Sequence, residues 1–179
     1  KTAKNKGKAR MIWNDLKTKK SIGVLAEYPE KGLIEIAKPI GVIAAVTPST
    51  NPVVTPMCNA MMAIKCANTV IVAPHPKAKR LTVHLKALWD AEFEKLGAPK
   101  DILQVIAEPS LQLTDELMHA ADAVIATGGS SMVKAAYSSG KPAIGVGAGN
   151  TPAVIDSSAD ITLAVNSIIH SKTFDNGMI

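Results

Sequence analysis

AVIATGGSSMVKAAYSSGKPAIGVGAGN, residues 123–150, decides the fold. A short apolar run at 123–126 leads into Thr127-Gly128-Gly129-Ser130-Ser131. A short helical pattern follows at 130–138, then a second apolar run at 142–146 and a glycine cluster of Gly145, Gly147 and Gly149. Glycine directly after a strand lets a backbone come close to a ligand. The helix that follows aims free N–H groups and the positive end of its dipole at the same point. The stretch reads as the part of an α/β protein that holds a phosphate or the polar part of a cofactor.

Outward from this stretch the same alternation repeats. Apolar runs at 41–46, 69–73 and 101–106 read as buried strands, and 153–155 as one more candidate. Helical patterns lie at 53–67, at 77–96 (stopped by Gly97), at 110–120 with Ser110 as N-cap, and at 160–172 with Asp160 as N-cap. Residues 21–25 and 33–37 read as short strands joined by the turn Pro29-Glu30-Lys31-Gly32. Residues 1–20 form a basic helix with Met11, Ile12 and Leu16 on one side. Strands alternating with helices predict an α/β fold, a doubly wound parallel sheet with right-handed crossovers. The loops at 47–51, 74–75, 127–130 and 146–150 all follow strands and gather on the carboxyl edge, where such sheets bind ligands.

Composition narrows the function. Apolar residues make up 47% of the chain and charged residues 20%, so it can bury a core and is not disordered. Aromatics at 3% argue against base-stacking nucleic-acid modules. The net charge of +5 is local: residues 1–20 hold eight bases against one acid, the remainder twelve against fourteen. The basic stretch reads first as a solvated helical face, with a nucleic-acid or anionic-surface contact as the weaker reading. No apolar run approaches membrane-spanning length and no signal-peptide pattern opens the chain, so the expected setting is cytoplasmic without a membrane partner. Cys58 and Cys66 share one apolar helical pattern, a poor geometry for a disulfide, and read as inert core thiols. His75, His84, His119 and His170 show no metal-ligand spacing, and no metal is expected. Gly145-Val146-Gly147-Ala148-Gly149 is only a partial dinucleotide fingerprint, and no phosphate-loop or serine-hydrolase motif is present. The chain begins in mid-helix pattern without an initiator Met, so it is expected to be part of a longer protein.

Four segments in order, GVIAAVTPSTNPV at 41–53, NTVIVAPHPKAK at 68–79, the 123–150 stretch and SKTFDNGMI at 171–179, resemble the aldehyde dehydrogenase superfamily. The branch they are most similar to is the CoA-acylating one, which includes acetaldehyde, succinate-semialdehyde and sulfoacetaldehyde dehydrogenases and the aldehyde half of aldehyde–alcohol dehydrogenases. The resemblance implies a Rossmann-like domain over 38–172 that binds NAD, with NADP not excluded, and coenzyme A. It implies thiolate chemistry, in which a cysteine adds to an aldehyde, a hydride passes to the nicotinamide, and CoA takes the acyl group. Homo-oligomers are the family's habit, and residues 21–37 are a candidate oligomerisation arm; a bacterial microcompartment is an alternative location.

Site residues follow by resemblance. Asn51 matches the amide of the oxyanion hole, though on residues alone it reads as a loop cap beside Pro52. Thr47 and Pro48, in the same loop, are expected to bind the cofactor. Thr127, Gly128, Gly129 and Ser130 match the loop that meets the cofactor, with Gly145 and Gly147 in the second cluster. Pro74 and His75 match the adenosine side, and His75 alone reads equally well as an exposed turn residue. Val146 stands where hydrolytic members carry a general-base Glu, which favours transfer to a thiol over hydrolysis. Ala73 stands where they carry a ribose-gripping Lys. The nucleophilic Cys is expected directly after Ile179, with residues 173–179 leading to a catalytic domain beyond this chain. The alternative is a non-catalytic nucleotide-binding or assembly module of the same fold.

Overall fold

The structure is a computed structural model that describes residues 2–149 and 151–177, without the side chains of Thr2, Asp175 and Asn176. Expectations that fall on Lys1, Asn150, Met178 and Ile179 lie outside the described residues. The chain divides into two compact units, Lys1–Gly147 and Ala148–Ile179, a boundary that falls inside the range 38–172 expected to act as one domain.

The first unit opens on helix α1 (Thr2–Leu16). Ile12 and Leu16 are half-buried, as is Lys8, whereas Met11 is 63% exposed. Positions 8, 12 and 16 stack on one face at four-residue spacing, and Met11 lies about 100° away from Ile12, so it drops out of the face expected to hold it. An antiparallel hairpin follows, β1 (Gly23–Tyr28) and β2 (Leu33–Ala37). Its 3-10 turn Pro29–Lys31 is closed by Gly32 at φ 60°.

Five parallel strands form the second sheet: β3 (Val42–Thr47), β4 (Thr69–Pro74), β5 (Leu103–Val105), β6 (Ala123–Thr127) and β7 (Ala143–Val146). They alternate with α2 (Val54–Lys65), α3 (Lys79–Lys95), α4 (Leu111–Ala120) and α5 (Ser130–Ser138). The strand order is β5-β4-β3-β6-β7. The chain therefore winds outward from β3 in one direction, returns, and winds outward in the other. Right-handed crossovers then place the two sets of helices on opposite faces. The core follows that division. Ile43, Ala45, Val70, Val72 and Leu103 pack with Ala60 and Ala63 of α2 and with Trp89 and Phe93 of α3. Ala44, Val46, Val124 and Ala126 pack with Met118 of α4 and Ala136 of α5. Val70, Val72, Leu103, Met118 and Val124 are fully buried, each contributing roughly 1.5–3 kcal/mol.

The amino edge of the sheet is tied by side chains. Asn68 is buried; its Oδ1 accepts from the N–H groups of Ile40 (2.6 Å) and Gly41 (2.9 Å), and its Nδ2 donates to the carbonyls of Ala63 (3.3 Å) and Cys66 (3.2 Å). Asp122 Oδ2 accepts from Val42 N–H at 2.8 Å. Gly41 sits at φ 129°, and a Cβ there would lie 2.2 Å from the same Asp122 oxygen, so only glycine fits. Helix α2 ends through Ala67 at φ 57°, with Ala67 N–H donating to Ile64 O and Asn68 N–H to Ala63 O. This is the left-handed helix end that glycine usually occupies.

In the second unit, α6 (Ile161–Thr173) is capped by Asp160, whose Oδ1 accepts from Leu163 N–H at 2.9 Å, and a 3-10 turn follows at Phe174–Gly177. Lys172 Nζ donates to the Thr151 carbonyl at 3.2 Å. Residues 153–155 are not a strand: Val154 is 94% exposed, and the described residues of this unit hold no strand to pair with.

Two substitutions check the amino edge by thermal unfolding of the intact protein. Asn68→Ala strands two backbone N–H groups and is expected to destabilise by about 2–4 kcal/mol. Ala67→Gly relieves a left-handed alanine and is expected to stabilise by about 0.5–1 kcal/mol.

Candidate functional site at the carboxyl edge of the sheet

Strand β3 pairs with both β4 and β6, so the strand order reverses between β3 and β6. In open α/β sheets the crevice beyond the carboxyl ends at that reversal is where ligands bind. The register fixes which residues meet there. Thr47 pairs with Pro74, Thr127 pairs with Val146, and Val46 opposite Ala126 brings Thr47 level with Thr127. Pro74, Thr47, Thr127 and Val146 thus form one row along the carboxyl edge. The backbone closes the row: His75 N–H donates to Thr47 O at 3.0 Å and Gly128 N–H to Val146 O at 3.1 Å.

The loop residues sit around this row. Thr47 is buried, Pro48 and Asn51 are half-buried, and the Asn51 carbonyl accepts from Thr55 N–H at 3.1 Å where α2 begins. Thr127 and Gly128 are half-buried, and Gly129 and Ser130 are exposed. Gly129 is the N-cap of α5 at φ −66°, with no side-chain cap, and a Cβ built on it meets nothing within 4 Å. Neither α2 nor α5 has an acid in its first turn, so the positive ends of both dipoles stand uncompensated at this edge. That field suits an anion such as a diphosphate. Lys77, Lys79 and Arg80 follow β4 and add cations on the same side; Lys79 is ion-paired to Glu108.

The structure changes the reason for two sequence assignments. A Cβ on Gly145 would lie 2.6 Å from Val133 Cγ1 and 2.8 Å from Tyr137 Cε2, and Gly145 N–H donates to Tyr137 Oη at 3.1 Å. Glycine is needed there so that α5 can lie close on β7, and its open side is taken by the helix. The exposed His75 ring is a capping group: its Nδ1 accepts from Lys77 N–H at 3.1 Å, which leaves a neutral ring's proton on Nε2. Gly147, at the end of the unit, has open space around its Cα. Ala73 is buried beside Val46 and Ala126.

Both cysteines are free. Burial pushes the Cys58 thiol upward in pKa, a shift that the Lys8 charge partly opposes. Cys66 is half-buried and caps the end of α2, outside the buried helical face expected for it. Among the described residues no group of His, Cys, Asp and Glu could hold a metal ion, and no helix is long and apolar enough to cross a membrane. The sequence reading assigned no role to Asn59 of α2, whose Nδ2 is buried without a hydrogen-bond partner among the described residues. It is a primary amide among the buried residues Val54, Pro56, Cys58, Ala60 and Ala63 of that helix.

The fold and this edge define a doubly wound α/β domain with its strand order reversing at β3 and β6. Residues 9–179 match the model of the aldehyde dehydrogenase family, and the chain belongs to that family. It is 55% identical over 179 residues to the acetylating succinate-semialdehyde dehydrogenase of Clostridium kluyveri, covering all of this chain and 40% of that protein. Other relatives it matches are named an aldehyde-alcohol dehydrogenase, from Clostridium acetobutylicum, and an acylating sulfoacetaldehyde dehydrogenase, from Cupriavidus necator. The crystal structure of a probable aldehyde dehydrogenase from Listeria monocytogenes superposes with a TM-score of 0.87 at 45% identity, over 96% of this chain and 39% of that one. A propionaldehyde dehydrogenase from Rhodopseudomonas palustris, with bound CoA and an acylated cysteine, superposes with a TM-score of 0.69 at 39% identity, over 78% of this chain and 32% of that one. The chain thus spans about two fifths or less of the length of these relatives.

Three measurements follow. Gly145→Ala is expected to lower the stability of the intact protein by about 1–3 kcal/mol through overpacking against α5. Gly129→Ala, with open space and an ordinary φ, is expected to stay within about 0.5 kcal/mol in the same thermal unfolding experiment. Cys58 is expected to resist iodoacetamide at neutral pH until the protein is unfolded. The folded state holds the Cys58 proton more tightly than the unfolded chain does. Its contribution to stability is therefore complete at neutral pH and is lost as pH rises through the thiol range, which unfolding midpoints above and below that range would register.

Proposed function

We propose that the intact protein oxidises an aldehyde to an acyl-CoA, and runs the reverse, with NAD as hydride acceptor. The observation that carries this reading is the row at the carboxyl edge. An anion-attracting crevice between α2 and α5 ends, on β7, in the apolar side chain of Val146. A dinucleotide suits the crevice. An apolar residue at that end of the row supplies no base to activate water, so a thioester formed beside it persists until a thiol arrives.

In this reading Thr47, Pro48, Thr127, Gly128, Gly129, Ser130 and Gly147 border the cofactor, with Pro74 and His75 toward its adenosine end. His75 offers Nε2–H, because Nδ1 is committed to Lys77. Bound NAD supplies the hydride-accepting ring, and CoA supplies the thiol that releases the product. Asn51 points its chemistry at the aldehyde oxygen: an amide N–H donor placed there stabilises negative charge as the carbonyl is attacked. The names of the relatives, which include acylating succinate-semialdehyde and sulfoacetaldehyde dehydrogenases, support the substrate class.

The test is NADH formation by the intact protein with a panel of short aldehydes. NADH is expected to appear when CoA is present and to be slow when it is omitted. Equal rates without CoA would mean hydrolysis, and no NADH with any aldehyde would mean a binding module. Asn51→Ala is expected to lower kcat about a hundred- to a thousandfold.

A further inference from the structure

Strand β7 is the outer strand of the sheet, and successive residues turn their backbone groups to opposite sides of it. Val124 N–H donates to Pro142 O and Gly128 N–H to Val146 O, so residues 142 and 146 face β6. Gly145, in the other set, faces outward, where no further strand pairs among the described residues. An outward N–H on an edge strand is ordinarily left to solvent. Here it donates to Tyr137 Oη at 3.1 Å, from the last turn of α5.

Glycine at 145 makes room for this contact. A Cβ there would lie 2.8 Å from Tyr137 Cε2 and 3.0 Å from Cζ, so the ring lies on the strand while its hydroxyl reaches the strand's edge. Tyr137 is nonetheless 59% exposed, so burial does not account for the residue type. A phenylalanine ring would cover the glycine equally well; the phenol oxygen alone supplies the acceptor.

Both partners lead to the crevice. Gly145 is followed by Val146, which pairs with Thr127 at the end of the row, and by Gly147. Tyr137 lies near the end of a nine-residue helix whose other end, Gly129 and Ser130, stands at the same carboxyl edge. Strand β7 has only four residues and is paired with β6 alone. The hydroxyl ties the strand's free side to the helix, one residue before Val146. It therefore sets the separation between the amino end of α5 and the carboxyl end of β7, the two walls between which the proposed cofactor lies.

We propose that Tyr137 is a positioning residue for NAD binding, acting through Gly145 on Val146, Gly147 and the amino end of α5. This assignment rests on the proposed function and adds to it a residue outside the set that borders the cofactor. Without the bond, the end of β7 is displaced for part of the time. Apparent affinity then falls by the fraction that remains competent, whereas saturating cofactor draws the edge back into place. The loss belongs in KM and not in kcat.

The experiment compares the intact protein with Tyr137→Phe, which keeps the ring and removes the acceptor. NADH formation is followed with aldehyde and CoA saturating and NAD varied. The ligand-free Tm and the amide hydrogen exchange of the peptide over 142–149 are recorded beside it. The KM for NAD is expected to rise about three- to tenfold with kcat within about twofold, and that peptide to exchange faster. The Tm is expected to hold, because water replaces an exposed hydrogen bond. O-methyltyrosine incorporated at position 137 keeps the acceptor oxygen without the donor and is expected to restore both KM and slow exchange. An unchanged KM overturns the proposal, whatever the Tm and the exchange do; faster exchange in that case leaves the bond a purely structural one. A fall in kcat and Tm together with a raised KM also overturns it, as a general loosening of the fold. Failure of O-methyltyrosine to restore the KM overturns it too, since the hydroxyl then works as a donor elsewhere. A wild-type protein that forms no NADH with any aldehyde defeats the proposed function, and this role with it.

Discussion

Asn68 gathers four hydrogen bonds onto one buried carboxamide, two from the chain entering β3 and two to the end of α2. Asp122 adds a bond from β6 to the first residue of β3. Together they set how far β3 is shifted against β4 and β6. A slip of one residue would turn Ile43, Ala45 and Thr47 to the opposite face and exchange the two halves of the core. Because the strands are short, the register chosen at the amino end is still in force at the carboxyl end. Thr47 meets Pro74 and runs level with Thr127 as a result.

The elements were largely legible. The Val/Ile/Ala runs could be satisfied only by burial on both faces, and glycines and prolines marked their ends. Ser110 and Asp160 proved to be the N-caps their positions implied, each accepting from the N–H three residues on. The two-sided winding was legible too, since it follows from strand–helix alternation and crossover hand. Strand order was less so, because no local pattern says that β6 returns to pair with β3.

What escaped the sequence was mostly the work of polar side chains in contact with distant chain. Asn68 and Asp122 look like ordinary loop residues until the strands they join are seen side by side. Gly145 looked like a ligand-approach glycine because it stands in a glycine cluster; the space it leaves is filled by Val133 and Tyr137, eight to twelve residues earlier in the chain. His75 was ambiguous between contact and turn, and the ring turns out to be occupied at Nδ1 by the local turn. The site itself was legible as a set of loops following strands. Which of those loops face each other was a matter of pairing, which only three dimensions supply.

The two ends of the sheet carry different responsibilities. The amino edge holds the strands in register, and the carboxyl edge holds the candidate chemistry. A strand of six residues separates them by about 20 Å, beyond the range at which substitutions usually interact. Heat tolerance and the make-up of the upper loops can therefore be altered separately, because a change that firms the lower rim leaves the upper rim's vocabulary intact. A protein engineer inherits the same freedom: the scaffold can be hardened first and the loops of the carboxyl edge rewritten afterwards, without either step undoing the other.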